Sequence, residues 1–224
     1  FGAPPLLPKF SILDPEYTYS VPKNQTAAGT ADIMSHTFEC YFSLNDGAYL
    51  QDRFAESILK TCIEYGPLAI KNPENYEARS NLMWAGTWAI NGLLSDGKKT
   101  AWSVHPMEHE LSAFYDITHG VGLAILTPHW LKHCLNDKTV KKIADYGINV
   151  WGLPKGEEVY RTAEKAIECT SDFFKSLGIP MTLKEAGIGE EHLKEMAEAA
   201  VAHRGKNGVI YGFQELRADD VYAI

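Results

Sequence analysis

Residues 105–120 read HPMEHELSAFYDITHG, and this stretch decides how the chain must fold around its histidines. His105 and His109 are four residues apart, a spacing that places two side chains on one face of a helix. His119 would lie about 21 Å from His105 in one straight helix, at about 1.5 Å per residue. Metal–nitrogen bonds are only about 2.1 Å long, so the helix must break if both histidines bind one ion. The segment DIT at 116–118 offers that break, because its threonine can cap a new helix.

A second stretch, GTADIMSH at residues 29–36, supplies a carboxylate and another imidazole. Asp32 and His36 are four residues apart, so their side chains lie one above the other on a helical face. This spacing lets both bind one metal ion, although an exposed ion pair has the same spacing. The surrounding sequence is apolar nearly all round, which predicts a buried helix. A buried aspartate needs a partner, because an unpaired buried charge is costly. Each of these histidines, taken alone, is more often a core residue satisfied by hydrogen bonds than a metal ligand.

The composition is that of a globular domain and argues against several classes of partner. The chain has 224 residues, of which 45% are hydrophobic and 22% charged, with a formal net charge of -8. Such an acidic chain is a poor fit to nucleic acid or to an anionic membrane surface. No apolar run approaches the roughly 20 residues of a membrane span. We therefore expect no nucleic acid, no membrane and a cytoplasmic location.

The cysteine spacing also predicts a reducing compartment. The four cysteines are scattered and no two form a CxxC motif, so they offer no zinc-ribbon or redox motif. Each lies beside apolar residues in a helical pattern. We therefore expect buried, reduced thiols.

The periodicity of apolar residues predicts a mainly α-helical fold. Residues 1–24 are rich in proline and predict an extended lead-in with a short strand, followed by a helical domain over 25–224. Breakers and capping residues delimit the predicted helices. These helices span 26–45, 48–71, 73–95, 103–115, 119–136, 138–151, 156–177, 182–186 and 190–202.

Nucleotide-binding signatures are absent from the sequence. No GxGxxG motif or phosphate loop follows a predicted strand. A dinucleotide cofactor would therefore bind mostly outside this chain. The sequence begins with Phe1 instead of methionine, and we expect a piece of a longer protein.

Several separated motifs resemble those of the iron-containing (group III) alcohol dehydrogenases. They are GTADIMSHTFE at 29–39, NLMWAGTWAINGL at 81–93 and HPMEHELSAFYDITHGVGLAILTP at 105–128. The lead-in PKFSILDPEYTYSVPKNQTAAG and the ending GVIYGFQELRADDVYAI are similar to segments of the same family. The resemblance covers essentially the whole chain and is strongest to the NADPH-dependent butanol dehydrogenase-like branch.

The resemblance implies that this chain is the C-terminal, all-helical half of a two-domain enzyme. In the family an N-terminal α/β domain binds NADPH or NADH, and a metal lies in the cleft between the domains. Carried over position by position, the implied metal ligands are Asp32, His36, His105 and His119. His109 matches a catalytic position beside the nicotinamide that is associated with proton movement. Fe(II) is the implied ion, and Zn(II) also suits three histidines and one carboxylate.

The implied reaction is the oxidation of an alcohol or the reduction of an aldehyde. A divalent ion polarises the oxygen of such a small-molecule substrate for hydride transfer to or from the nicotinamide. We expect the isolated chain to bind metal but not to oxidise alcohols, because it lacks the nucleotide-binding domain as its partner. A homodimer is compatible with the family.

Two further residues are predicted to line the substrate and cofactor cleft, namely Trp102 and Thr26. Trp102 precedes His105 by less than one helical turn. His129 and His133 have the spacing of a metal pair, but with no third ligand nearby they predict a half-exposed helix face. The remaining aromatic residues of the motifs are predicted to pack mainly in the core: Trp84, Trp88, Phe114 and Tyr115.

Two alternatives stay open at this point. A dehydroquinate synthase-like or glycerol dehydrogenase-like enzyme would use zinc on the same architecture, with fewer ligands and another residue pattern. A non-catalytic helical domain would carry the cluster as a closed structural site, without an open coordination position. The complete set of one aspartate and three histidines favours the alcohol dehydrogenase interpretation.

Overall fold

Nearly all regular structure in this protein is helical, as the sequence predicts. The computed structural model describes residues 8–43, 47–100 and 102–224. A 3-10 helix spans Pro15–Thr18, and two isolated antiparallel bridges lie near the C-terminus. The α-helices are α1 (Lys23–Tyr41), α2 (Tyr49–Lys71), α3 (Tyr76–Ile90), α4 (Val104–Tyr115), α5 (His119–His133), α6 (Val140–Trp151), α7 (Val159–Ser176), α8 (Leu193–Arg204) and α9 (Ala218–Ala223). None of the helices in these residues is long and apolar enough to cross a membrane.

The lead-in differs from its prediction, because residues 8–22 contain no strand. The Asp14 side chain instead accepts a hydrogen bond from the Glu16 backbone N–H at 3.0 Å and caps the 3-10 helix. Pro15 suits the first helical position, since its φ is fixed and it has no N–H to satisfy. The predicted strand is therefore wrong. The first seven residues of the lead-in, and the predicted end of the first helix at 45, lie outside the described residues.

The C-terminal part departs most from the predicted helices. The predicted helix at 182–186 is wrong, because this segment is a single turn that ends at Gly187 with φ 79°. Glycine adopts this left-handed conformation without a Cβ clash. α9 is missing from the prediction, and its start is set by the Asp220 side chain, which accepts the Arg217 backbone N–H at 2.8 Å. Six residues are too few for apolar periodicity to reveal a helix.

α1 lies at the centre of the molecule and packs against α2, α3 and α5. α4 packs on α5 and α8, and α6 packs on α7. Buried aromatic rings hold the C-terminal end of α1: Phe42 lies 5.4 Å from Tyr146 and 5.3 Å from Phe213 between ring centroids. Burying such rings is a main source of folding free energy. The prediction that α1 is a buried helix is confirmed.

A close backbone approach brings the start of α5 against α1. A Cβ atom on Gly120 would lie 2.0 Å from the carbonyl oxygen of Ala28. Only glycine lets the two backbones come so near. His119 precedes this glycine, and Asp32 lies one turn after Ala28 on α1. The approach therefore brings these two side chains towards the same place.

The cysteines are free, as predicted. Cys40, Cys62 and Cys134 are buried and Cys169 is half-buried, and none is in a disulfide. Burial raises the pKa of the Cys62 and Cys134 thiols to about 12. Both thiols therefore stay protonated and unreactive at neutral pH.

The aromatic residues of the motifs at 81–93 and 105–128 do not all lie in the core. Trp84 is 52% exposed and Phe114 is 37% exposed, so their predicted burial is wrong. Trp88 and Tyr115 are partly buried against the core. Trp84 meets Trp88 edge-on, with ring centroids 5.1 Å apart.

Candidate metal centre

Three imidazoles converge on a single carboxylate oxygen. The Nε2 atoms of His36, His105 and His119 lie 3.4, 3.9 and 3.7 Å from Oδ1 of Asp32. The four residues come from α1, α4 and α5, so only the folded chain assembles them. These are the four residues that the family resemblance implies as ligands, and the structure brings them together.

α1 supplies Asp32 and His36 from successive turns of one helix. Burial lowers the pKa of the His36 imidazole below its ordinary value, although the Asp32 carboxylate opposes this effect. His36 is therefore neutral at pH 7 and has a nitrogen lone pair to offer.

The turn between α4 and α5 brings His105 and His119 together. Asp116 follows α4 in the left-handed region with φ 51°, which aspartate tolerates better than most residues. Thr118 is the N-cap residue of α5, without a side-chain hydrogen bond. The rings of His105 and His119 consequently lie 5.3 Å apart between centroids. The predicted break at 116–118 is confirmed.

A buried glutamate on α1 fixes His105, and the sequence analysis missed it. Glu39 accepts hydrogen bonds from the backbone N–H groups of Ser103, Val104 and His105 at 2.8 to 3.0 Å. Its Oε1 also lies 3.2 Å from Nδ1 of His105. A carboxylate at this end of α4 is stabilised by the helix dipole. With its proton on Nδ1 towards Glu39, the His105 ring has Nε2 facing Asp32.

A second buried glutamate contacts His119 in the same way. Glu108 is fully buried on α4, and its Oε2 contacts Nδ1 of His119. This hydrogen bond raises the pKa of the His119 imidazole, while burial of the ring lowers it. A charged residue in an apolar stretch is the available sequence signal for Glu39 and Glu108. Helical spacing between the histidines and Asp32 does not reveal either glutamate.

His109 lies beside the cluster and outside the set that faces Asp32. Its ring stacks on His119, with centroids 5.6 Å apart. Burial lowers the pKa of the His109 imidazole, and the nearby Arg204 guanidinium lowers it further. The imidazole is therefore neutral at pH 7.

Trp102 and Thr26 border two different cavities beside the cluster. The Trp102 ring packs on His36 and His105 with centroids 5.1 and 4.6 Å apart, and it borders a cavity of about 390 Å³. Thr26 borders a second cavity, of about 380 Å³, that reaches Asp32. Both predicted cleft residues therefore border space next to the cluster.

The other histidine pair of α5 forms no comparable cluster in the described ranges. His129 is exposed, and Nε2 of His133 lies 3.4 Å from Oδ1 of Asp220. The two side chains thus differ in surroundings although they share the i, i+4 spacing. This agrees with the prediction of a half-exposed helix face.

The donor set fits a divalent transition-metal ion. Oδ1 of Asp32 and Nε2 of His105 are buried, and neither has a hydrogen-bond partner in the described part of the chain. Buried polar atoms are normally partnered, and an ion would satisfy both. Each of the three nitrogen–oxygen distances to Asp32 is shorter than the sum of two metal–ligand bonds of about 2.1 Å. One ion can therefore reach all of these atoms. Imidazole and carboxylate together suit iron or zinc.

The fold and the cluster define a class of protein, the all-helical domains in which an aspartate and three histidines meet at one point. Residues 26–224 match the family model described as "Fe-containing alcohol dehydrogenase family, C-terminal". The chain belongs to the iron-containing alcohol dehydrogenase family and corresponds to its C-terminal part.

Named relatives agree with this family. The chain is 59% identical over 223 residues to NADH-dependent butanol dehydrogenase A of Clostridium acetobutylicum, covering 100% of this chain and 57% of that protein. It is 40% identical over 204 residues to the NADPH-dependent aldehyde reductase YqhD of Escherichia coli, covering 89% and 52%. The structure of NADH-dependent butanol dehydrogenase A from Thermotoga maritima matches with a TM-score of 0.91 at 33% identity, over 99% of this chain and 56% of that one. The chain thus spans about half the length of these relatives.

Proposed function

We propose that this chain is the metal-bearing half of an NAD(P)-dependent alcohol dehydrogenase or aldehyde reductase. Asp32, His36, His105 and His119 would hold the ion, with Fe(II) as the first expectation and Zn(II) as the alternative. The approach of three imidazole nitrogens to within 3.9 Å of Asp32 Oδ1 carries the proposal. The reaction class is supported by relatives named as butanol dehydrogenases and as an aldehyde reductase.

The bound ion would polarise the oxygen of a small alcohol or aldehyde, which favours hydride transfer to or from the nicotinamide. The chain's own side chains prepare the site for this reaction. The lowered pKa keeps His36 unprotonated. Trp102 packs against the rings of His36 and His105 and would help to hold their orientation.

His109 is proposed as the catalytic residue that moves the proton. Its Nδ1 is buried without a hydrogen-bond partner among the described residues, so Nε2 is the atom that would pass the proton on. A neutral imidazole near the substrate oxygen can accept a proton from the alcohol and release it to solvent. The lowered pKa of His109 favours this neutral form.

The nucleotide is proposed to bind mainly to an N-terminal domain, joined to the helical domain at 25–224 through the lead-in at 1–24. NADH and NADPH both occur in the names of the relatives, so either could serve this protein. The cavities bordered by Thr26 and Trp102 offer space for nucleotide or substrate beside the cluster. A homodimer is the proposed assembly.

The metal content of the purified protein tests the ligand set. Inductively coupled plasma mass spectrometry should find about one iron or zinc per chain, and Asp32→Ala and His105→Ala should lose it. His109→Ala should retain the metal, because its ring lies outside the set that faces Asp32. His129→Ala is the matched control on an exposed face. Equal metal loss in His105→Ala and His109→Ala would contradict the ligand assignment.

Activity must be measured in the protein that joins this chain to its nucleotide-binding domain. Butanol oxidation, followed by nicotinamide absorbance, should be abolished in Asp32→Ala. His109→Ala should lower kcat by about 100-fold or more and alter its pH profile, as expected for loss of an acid–base group. A metal-loaded protein that turns over no alcohol with either nucleotide would instead support the silent helical domain.

A further inference from the structure

We infer that Glu108 is a positioning residue for the metal centre, and that Gly122 provides the space it needs. This inference rests on the proposed function, since it assigns a role towards the proposed ion. Glu108 would not bind the ion itself. It would hold His119 in the orientation and the tautomer that a ligand requires.

Both oxygens of the Glu108 carboxylate have a close neighbour inside the protein. The side chain is fully buried, and its Oε2 contacts Nδ1 of His119. Its Oε1 accepts a hydrogen bond from the Ser112 hydroxyl at 2.6 Å. The same hydroxyl oxygen lies 3.2 Å from the carbonyl oxygen of Ile117 in the turn before α5. The Ser112 hydroxyl thus lies between Glu108 and the turn.

The contact with Glu108 decides which nitrogen of His119 is available. A carboxylate accepts a hydrogen bond from Nδ1–H, so the neutral ring keeps its proton on Nδ1 and carries its lone pair on Nε2. That atom is the one lying 3.7 Å from Asp32 Oδ1. A carboxylate on the far nitrogen also makes a histidine a stronger electron donor to a metal.

The orientation of His119 depends on Glu108 more than the orientation of His105 depends on Glu39. Its side chain is 36% exposed, against 4% for His105. His119 is also the first residue of α5, where the backbone N–H groups have no partner within the helix. In the described residues, Glu108 is the one buried carboxylate that contacts it.

Gly122 is matched to Glu108 by shape. It lies three residues after His119 in α5 and therefore on the same side of the helix. A Cβ atom on Gly122 would lie 2.8 Å from Cγ of Glu108 and 2.9 Å from its Oε1. Both distances are shorter than real Cβ atoms allow, so even alanine would displace the buried carboxylate.

The first experiment compares Glu108→Gln and Glu108→Ala with Glu110→Gln in the full protein. Glu110 is a matched control, because it is also buried on α4 and lies 2.9 Å from a histidine Nδ1, that of His203. Zn²⁺ affinity is measured by competition with a chelator, and ligand geometry by the visible absorption of bound Co²⁺. Thermal unfolding of the metal-free proteins reports any purely structural effect.

Both Glu108 variants should bind Zn²⁺ about 10- to 100-fold more weakly, the usual effect of removing such a partner. The Co²⁺ bands should shift in both, and Glu110→Gln should match the wild type. Glu108→Gln keeps the shape of the side chain and one acceptor atom, so its loss should be the smaller. Unchanged Zn²⁺ affinity in both variants, or the same loss in Glu110→Gln, would overturn the inference.

The second experiment tests the pairing of Gly122 with Glu108 by a double-mutant cycle. Gly122→Ala should weaken Zn²⁺ binding in the wild type, because it displaces the carboxylate. In the Glu108→Ala protein the same change should cost nothing further. The pairing would be contradicted if the fold-losses of Zn²⁺ affinity in the two single variants multiplied in the double variant. If the wild type binds no Zn²⁺ or Co²⁺, the proposed metal site fails together with this inference; if it binds them and the variants do too, only this inference fails.

Discussion

At the scale of single residues, the direction of a histidine's Nε2 separates the cluster from the other histidines. His105 has a buried glutamate near Nδ1, and so does His203, which is 66% exposed. A carboxylate contact alone therefore does not make a ligand. The histidines of the cluster differ because their Nε2 atoms point to one oxygen of Asp32.

The Glu39 carboxylate should also matter for folding, since it accepts three backbone N–H groups at the start of α4. In Glu39→Gln one oxygen becomes an NH₂ group, which would face a backbone donor inside the protein. We expect the free energy of unfolding to fall by about 1–3 kcal/mol, the cost of an unsatisfied buried group. Chemical denaturation of the metal-free protein measures this change.

Glu158→Gln is the control for that prediction. Glu158 likewise accepts two backbone N–H groups, at the start of α7, but it is exposed to solvent. Water can replace the lost acceptor there, so the loss of stability should be clearly smaller. Equal losses in the two variants would show that burial of Glu39 is unimportant.

At the scale of helices, the sequence predicts best those ends that carry a local signal. The break after α4 depends on Asp116 and Thr118, and it was predictable from their preferences for turns and caps. α9 and the turn at 182–186 were not predictable from periodicity, because segments of five or six residues are too short to show it.

In the candidate site, too, spacing within a helix was predictable from the sequence, whereas contacts between helices were not. The four proposed ligands follow from helical spacing, one turn and a family resemblance. Glu39 and Glu108 do not, because each acts on a histidine that lies on another helix. Helical spacing relates residues within one helix and cannot supply such a contact.

The packing of α5 on α1 gives a prediction at this scale. Gly120→Ala should destabilise the protein by about 1–3 kcal/mol, as overpacking does. It should also weaken Zn²⁺ binding, because the start of α5 must move away from α1 and take His119 with it. Denaturation and Zn²⁺ titration of the same samples measure both effects.

Gly29→Ala provides the opposite case in α1. A Cβ atom there meets nothing within 4 Å. Alanine favours the helix interior over glycine by about 1 kcal/mol, so stability should stay the same or rise. A loss of stability comparable to that of Gly120→Ala would mean that close approach is not the cause.

At the scale of the whole molecule, the proposed ion would cross-link helices that packing already brings together. Its ligands span α1, α4 and α5, and α5 packs on both of the others. An ion that binds only this folded arrangement stabilises it by mass action.

Zn²⁺ should therefore raise the melting temperature, and a chelator should lower it. At a concentration about 100 times Kd the gain is about 2.7 kcal/mol. Asp32→Ala should melt at the same temperature with and without Zn²⁺. Differential scanning calorimetry of both proteins measures the shifts. A wild-type melting temperature insensitive to Zn²⁺ and chelator would contradict a shared site.

The close contact of α5 with α1 has one more consequence. Every proposed ligand belongs to a single packed body, and none has to arrive from elsewhere. Movement of a neighbouring domain would therefore leave the metal–ligand distances unchanged. The proposed ion would therefore stay bound to the helical domain when a neighbouring domain moves. Release of the ion would then depend on the opening of this helical body alone, whatever a neighbouring domain does.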